Sequence, residues 1–424
     1  MTSRARVVKA LNHEEPDRVP VDFGATGQTG ISASTLYRLR AALGLQEKPV
    51  TVIEPFQLLG EVEQDLRDLL RVDVIGLWNP VNMMGVRNAA WKPWRMGDGT
   101  PVLMAGEFAY REAPDGAVLA FPQGDTTVPP SLKLPAGGCF FDNIDRAPPW
   151  EETDLDARRD FQDLFGMYSD EEARYLENES KRLYDETSYA VIMNFGGGGF
   201  GDVAVLPGPW EKHPRGIRKL DDWYVAHLLY PEYIKELFGL QAEIALKNLQ
   251  ILRQAVGERI QVINISGTDF GSQNGEIISP DLYRTFYKPC HKLLNDWVHG
   301  NTGWKTHFHC CGSIARLLDD FIEAGVDVLN PVQCSASGMD PQTLKARYGA
   351  KLVFWGGGVD TQRTLPFGTP EEVRYEVQER LRVFSQGGGF VFNSIHNVLA
   401  GTPVDNLLAL FAELREFNDV RRKT

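Results

Sequence analysis

The sequence predicts an α/β fold, a single (β/α)8 TIM barrel carrying an inserted β-hairpin and helical segment. Two observations lead there. Short β-branched runs alternate with well-capped helices, which is the pattern of a parallel sheet. The runs total eight, the number that closes most simply into a barrel. A doubly wound open sheet is the alternative. The runs stand at 19–24 (VPVDFG), 73–78 (DVIGLW), 189–195 (YAVIMNF), 261–267 (QVINISG), 305–311 (KTHFHCC), 326–332 (VDVLNPV), 351–357 (KLVFWGG) and 389–395 (GFVFNSI). The later ones are nearly continuous apolar stretches, as expected of parallel strands buried on both faces.

Helix starts separate them. Ser279-Pro280 sets a hydroxyl N-cap before a proline at the first helical position. Thr369-Pro370-Glu371-Glu372 reads as a capping box, and Thr402-Pro403 repeats the hydroxyl–proline device. After Ser313, residues Ile314, Leu317, Leu318, Phe321 and Ile322 fall on one helical face. The chain, 1–424, is read as one domain. An insertion at about 79–187 interrupts the alternation and is expected to cover the barrel mouth. Its first part has turn signals between short alternating runs and reads as hairpins, and the stretch 150–182 is charged and mostly helical.

With 43% hydrophobic and 24% charged residues, the chain has ample material for a large core. A net charge of −13 argues against nucleic acid or an anionic membrane as a partner, since both need clustered Lys and Arg. No apolar stretch approaches the roughly 18 residues of a membrane span, and the N-terminus lacks an apolar signal core, so a cytoplasmic location is expected. Five cysteines without regular spacing do not form a disulfide framework. A homodimer is left open as the assembly.

Barrel chemistry collects at the C-terminal ends of the strands. His309, Cys310, Cys311 and Gly312 follow the fifth strand; Gln333 and Cys334 follow the sixth; Asp360 and Gln362 the seventh; His396 and Asn397 the eighth; Asp269 and Gln273 the fourth. The sharpest feature is His309-x-Cys311-Gly312. Residues i and i+2 of a strand share a face, so an imidazole and a thiolate can grip one ion from one side. Zinc accepts such a mixed nitrogen and sulfur set, and a catalytic zinc keeps one position open. The metal candidates are therefore His309 and Cys311 with a third donor, His396 first and Cys334 second. His307 shares the face but lies deeper, and Cys310 points into the core, where Cys139 and Cys290 are also placed. Asp269 is the candidate catalytic residue. Gln28, Asn194, Gln273, Gln333 and Asp360 are candidate substrate contacts, with cap or turn roles as the alternative for Asp269 and Asp360. The glycine runs at 196–199, 356–358 and 387–389 fit no phosphate-loop spacing and read as tight turns, although the first, with Asn194, can also bring a flat substrate close to the backbone.

The motifs HCCGSIARLLDDFIEAGVDVLNPVQ, GMDPQTLKARYG, FWGGGVDTQRTLPFGTPEEV and GGGFVFNSIHNVLAGTPVDNLLAL resemble the uroporphyrinogen decarboxylase superfamily, in its methyltransferase-like branch. RVVKALNHEEPDRVPVDFG and TDFGSQNGEIISPDLYRTFYKP resemble it as well, so the likeness spans most of the chain outside the insertion. It implies a (β/α)8 barrel. True decarboxylases carry an arginine motif after the first strand and an aspartate beyond the second. This chain has VDFGATGQTG and Trp78-Asn79-Pro80 there, which speaks against porphyrinogen decarboxylation. The resemblance implies a zinc-dependent methyltransferase working between a corrinoid protein and a thiol or tetrahydrofolate-type acceptor. A metal-assisted decarboxylase or lyase of a small carboxylated substrate is the alternative, and a non-catalytic barrel with a closed structural metal site is a third. The resemblance assigns His309 and Cys311 to zinc. Where the branch has a third, cysteine ligand, this chain has His396. With no corrinoid-binding D-x-H-x-x-G motif in the chain, the corrinoid would come on a partner protein.

Overall fold

A computed structural model describes residues 1–421. Its centre is a seven-stranded parallel sheet whose strands lie side by side in chain order: Val74–Leu77, Ala190–Met193, Val262–Ser266, Lys305–His309, Val328–Asn330, Val353–Trp355 and Phe390–Val391. That order never reverses, so there is no switch point of the kind that marks a doubly wound sheet. Each falls within one of the predicted runs. The run at 19–24 is the exception. It forms a single parallel bridge, Val21 to Phe392, and no regular strand. Its backbone nevertheless reaches both edges of the sheet: Asp22 N–H donates to Phe392 O at 2.9 Å, and Asp73 N–H donates to Val21 O at 2.7 Å. Pro20 has no N–H to offer a ladder, which limits the segment to such isolated contacts.

Helices follow the strands in turn. Among them are Pro231–Val256, Lys288–Asn301, Leu318–Glu323, Pro341–Tyr348, Pro370–Phe384 and Val404–Arg421. Ser279 and Thr369 cap as predicted: Ser279 accepts from Leu282 N–H, and Thr369 with Glu372 completes a capping box. The period-2 alternation of the strands sorts their side chains into two cores. Ile263, Ile265, Phe308, Leu329, Phe354 and Phe390 pack outward in the main core. Val74, Ala190, Val262, Val328, Val353 and Val391 pack inward in a second cluster. The helix Ser3–Leu11 joins that cluster through Val7, Ala10 and Leu11, and so plugs the N-terminal end of the barrel.

Two further sheets precede the second strand. One has the order Leu59–Gly60, Val50–Glu54, Pro101–Met104, Lys92–Arg95; the other is the antiparallel set Tyr110–Glu112, Val118–Ala120, Leu132–Leu134, Asp142–Asn143. The predicted hairpins are present, but Pro101–Met104 pairs in parallel with Val50–Glu54, which lies outside the predicted insertion. Two helices follow, Ala157–Phe161 and Asp170–Glu186, the second with a capping box at Ser169. The inserted segment contacts the loop after Ala190–Met193: Asn143 donates to Ala204 O at 3.2 Å and Arg146 to Glu211 O at 2.7 Å. Among the described residues, no helix is long and apolar enough to cross a membrane.

Candidate metal centre at the strand ends

On the inner face, the apolar layer gives way to polar side chains toward the C-terminal end. Asn264, His307, His309, Asn330 and Asn393 are all buried there. Above them, one ligand atom each from His309, Cys311 and His396 lies within 4.8 Å of the others. His309 Nε2 is 3.2 Å from Cys311 Sγ. A tetrahedral zinc would hold such a pair about 3.5 Å apart, so the separation fits an ion with little movement.

Tautomer and orientation are fixed from below. Asn330 Nδ2 donates to Trp355 O at 2.8 Å, which commits its Oδ1 as acceptor. His309 Nδ1 then donates to that oxygen at 2.6 Å. The Nε2 lone pair is left facing Cys311, the arrangement that metal-ligating histidines use. Burial pushes His309 and His396 down to about 4 and holds both neutral. Burial, then the Asp269 carboxylate, pushes the Cys311 thiol well up. Among the described residues no lysine or arginine is a leading influence on any of the three, so a bound dication would reverse the balance in favour of thiolate. The donor types, the lone-pair direction and the spacing all fit zinc.

Backbone packing shapes the H-x-C-G turn. Gly312 has φ +89°, and a Cβ on it would lie 2.3 Å from Gly271 C. Only glycine accepts both conditions. Gln333 Oε1 accepts from Gly312 N–H at 2.7 Å, and Asp269 Oδ1 accepts from Cys311 N–H at 2.6 Å. Asp269 also approaches His309 Nε2 at 3.9 Å, and burial raises its own carboxyl.

The remaining candidates divide. Gln28 approaches the end of the strand Val262–Ser266, where a Cβ on Gly267 would lie 3.6 Å from its Nε2, and its Oε1 is buried without a hydrogen-bond partner. Asn194 spends its amide on Ala25 O at 3.1 Å. Gln273 pairs with Gln362 on the exposed rim. Asp360 Oδ1 accepts from Gln362 and Arg363 N–H, which is the turn role. Asn397 holds Gly30 N–H and Gly27 O. Cys334 hydrogen-bonds to Val332 O and is not in the donor group. His307 bonds Asn264 Oδ1 at 3.1 Å, beneath the donors. Cys310 is buried and accepts from Phe270 N–H. Cys139 and Cys290, placed in the core from sequence, are only partly buried. In the run 196–199, Gly198 lies against Ile265, where a Cβ would come within 2.8 Å, so close packing accounts for it.

Sequence reasoning missed Asp202 and Asn330. Asp202 follows the glycine run after Ala190–Met193. Burial, with the Asp269 charge adding to it, pushes Asp202 up to about 7. The same strand-end rule that located Asp269 would have found it, had it been carried past the glycine run. Asn330 was signalled by a polar residue inside the apolar run VDVLNPV.

The uroporphyrinogen decarboxylase (URO-D) family model matches residues 213–417. A uroporphyrinogen decarboxylase of Prochlorococcus marinus (strain MIT 9211) is 26% identical over 322 residues, covering 73% of this chain and 81% of that protein. A methyltransferase from Methanosarcina mazei shares the fold with TM-score 0.55 at 17% identity, over 98% of this chain and 99% of that one. The family match runs through the strand-end loops that hold His309, Cys311 and His396, and over that stretch the chain is similar to the uroporphyrinogen decarboxylase family.

Proposed function

We propose that the protein is a zinc-dependent methyltransferase of the methyltransferase-like branch, passing a methyl group between a corrinoid protein and a thiol or tetrahydrofolate-type acceptor. The observation that carries this reading is the convergence of His309, Cys311 and His396 donor atoms within 4.8 Å at the mouth of the barrel. These three residues would hold the ion. Three protein donors leave one of the four positions of a tetrahedral zinc open, as catalytic sites require and structural ones do not. When bound, zinc supplies positive charge that favours a thiolate over a thiol at neutral pH.

The chain's own groups do the positioning. Asn330 orients His309, and Gln333 and Asp269 hold the turn that presents Cys311. Asp269 is placed to accept a proton from an incoming acceptor, its carboxylate lying 3.9 Å from the His309 nitrogen that faces the site. The inserted segment and the loop after Ala190–Met193 would cover the mouth and form the docking face for the corrinoid protein, within a single 1–424 domain. In-line approach of sulfur and methyl is then a matter of alignment.

The test is direct. Purified protein is expected to hold about one zinc per chain and to demethylate a methylcorrinoid in the presence of a thiol, followed by the corrinoid absorption spectrum. Zinc-free, fully active protein would overturn the reading. The 26% identical decarboxylase favours a second one, metal-assisted loss of carbon dioxide from a small carboxylated substrate. Release of carbon dioxide without any corrinoid requirement would select it.

A further inference from the structure

The two histidines of the donor group are held in different ways. His309 is fixed through its ring, by Asn330 Oδ1 at 2.6 Å. His396 meets that ring edge-on, with centroids 5.2 Å apart. Among the described residues it is bonded through its carbonyl, which accepts from Ser394 Oγ at 2.7 Å, and not through its ring. Its position therefore follows its main chain. Asn397, the next residue, is 1% exposed and divides its amide three ways. Its Oδ1 accepts from Gly30 N–H at 2.6 Å, and its Nδ2 donates to Gly27 O and to Gln57 Oε1, each at 2.8 Å. Turning the amide over would set donor against donor at Gly30 and acceptor against acceptor at Gly27. Gln57 Nε2 donates to the same Gly27 O at 3.0 Å. Gln57 is aimed in turn by Glu54, a buried residue at the end of Val50–Glu54, whose carboxylate accepts from Phe56 and Gln57 N–H at 2.9 and 2.8 Å. The main chains then close on one another: Val398 N–H donates to Gly30 O at 2.9 Å, and Ser32 N–H to Val398 O at 2.8 Å. A Cβ on Gly30 would lie 2.8 Å from Leu59 and 3.4 Å from Asn397 Oδ1, so the bare backbone eases that approach.

We propose that Asn397 and Gln57 are positioning residues of the metal centre: they place His396 within reach of the ion, and through Glu54 they make the small sheet outside the barrel part of that centre. This rests on the reading of His309, Cys311 and His396 as zinc ligands, and adds how the third is brought there. A ligand on a strand, such as His309, is placed by the sheet itself. A ligand on a loop must be held against the freedom of its own main chain, and that ordering is subtracted from the binding of the ion. A clamp that orders the loop beforehand removes the loss, and the gain is read as affinity. Packing that merely stabilised the loop would act whether or not His396 were present. The clamp acts on the ion only through His396.

The experiment measures the zinc affinity of the purified full-length protein, by competition with a chromophoric chelator, for the parent, Asn397→Leu, His396→Ala and the double variant. Asn397→Leu should lower affinity about 10–100-fold, the range for residues that orient a ligand. In the His396→Ala background it should change nothing further, since the ligand it positions is gone. Cobalt(II) loaded in place of zinc supplies a second readout. Asn397→Leu should weaken the visible bands that report tetrahedral coordination and keep the sulfur-to-cobalt band contributed by Cys311. Gln57→Met removes the hydrogen bonds to Asn397 and Gly27 and leaves the Glu54 turn in place. It should lower affinity several-fold, again only where His396 is present, and it carries the test if Asn397→Leu does not fold. The proposal is overturned if these variants leave affinity and cobalt spectrum unaltered, or if they lower affinity as much without His396 as with it. Zinc held and weakened as described, with no methyl transfer from a methylcorrinoid, would sink the methyltransferase reading alone. An active methyltransferase whose zinc is indifferent to Asn397 and Gln57 would sink only this proposal.

Discussion

At the N-terminal end of the barrel, Asp73 is fully buried and accepts from Arg6 at 2.6 Å, from Arg18 at 2.7 Å and from Val21 N–H at 3.0 Å. At the C-terminal end, His307 and His309 are buried and Asp202, Asp269, Cys311 and His396 half-buried, yet among the described residues no lysine or arginine pairs with them. One barrel thus buries ionisable groups in two ways. The paired end repays the cost of desolvation through hydrogen bonds and charge, and serves stability. The unpaired end is held by the rest of the fold in a state that a cation would relieve. That is the division between the stability face and the working face of such barrels.

Breaking the working end should give the largest change. His309→Ala or Cys311→Ala should lower zinc from about one per chain to near none and activity to background, while the metal-free melting temperature stays close to the parent's. Elemental analysis with calorimetry checks both parts; loss of folding together with metal would show that the two ends are not separable. Asp73→Asn should do the reverse. It leaves Arg6 and Arg18 facing a neutral amide, at a cost of about 3–5 kcal/mol, read from the denaturation midpoint, with zinc per folded chain unchanged.

Gly312→Ala sharpens the comparison, because it strains the backbone that aims Cys311. The cost should be about 1–3 kcal/mol, accompanied by weakened zinc binding; a neutral outcome would mean the turn is not held as described. Asn330→Leu removes the acceptor under His309, and zinc affinity should fall about 10–100-fold, measured by competition with a chromophoric chelator. An unchanged affinity would show that the tautomer is set elsewhere.

The smallest effect concerns His291, fully buried and outside the donor group. Burial pushes it from 6.5 down to about 3, against the hydrogen bond it makes to Gly198 O. Between those values the unfolded chain binds a proton that the native state refuses, so stability rises with pH across that window and falls as pH drops below 6.5 toward 3. The slope is at most about 1.4 kcal/mol per pH unit. His291→Gln should flatten urea-midpoint curves over this range and leave them unaltered above it.

Strand positions were legible because a buried parallel strand must be apolar on both faces, and 305–311 or 351–357 admit no other reading. The pairing of His309 with Cys311 was legible for a similar reason: two residues apart on one strand means one face. The strand Val50–Glu54 was not, since its parallel partner Pro101–Met104 lies far along the chain and leaves no local signal. Nor was the fate of 19–24, whose pattern reads as strand but whose proline and flanking edges permit only a bridge.

By itself the sequence determined the repeating strand–helix order, the caps at Ser279 and Thr369, and the donor types offered at each strand end. Tertiary structure alone decided that His396, 85 positions beyond Cys311, joins the group while Cys334 does not. It also decided that Asp360 turns to its own backbone and that Asp202 accepts from Ala204 N–H. The physical reason is range. Propensity and periodicity act over a few residues, whereas the curl of a sheet sets which distant strand ends come close enough to share an ion.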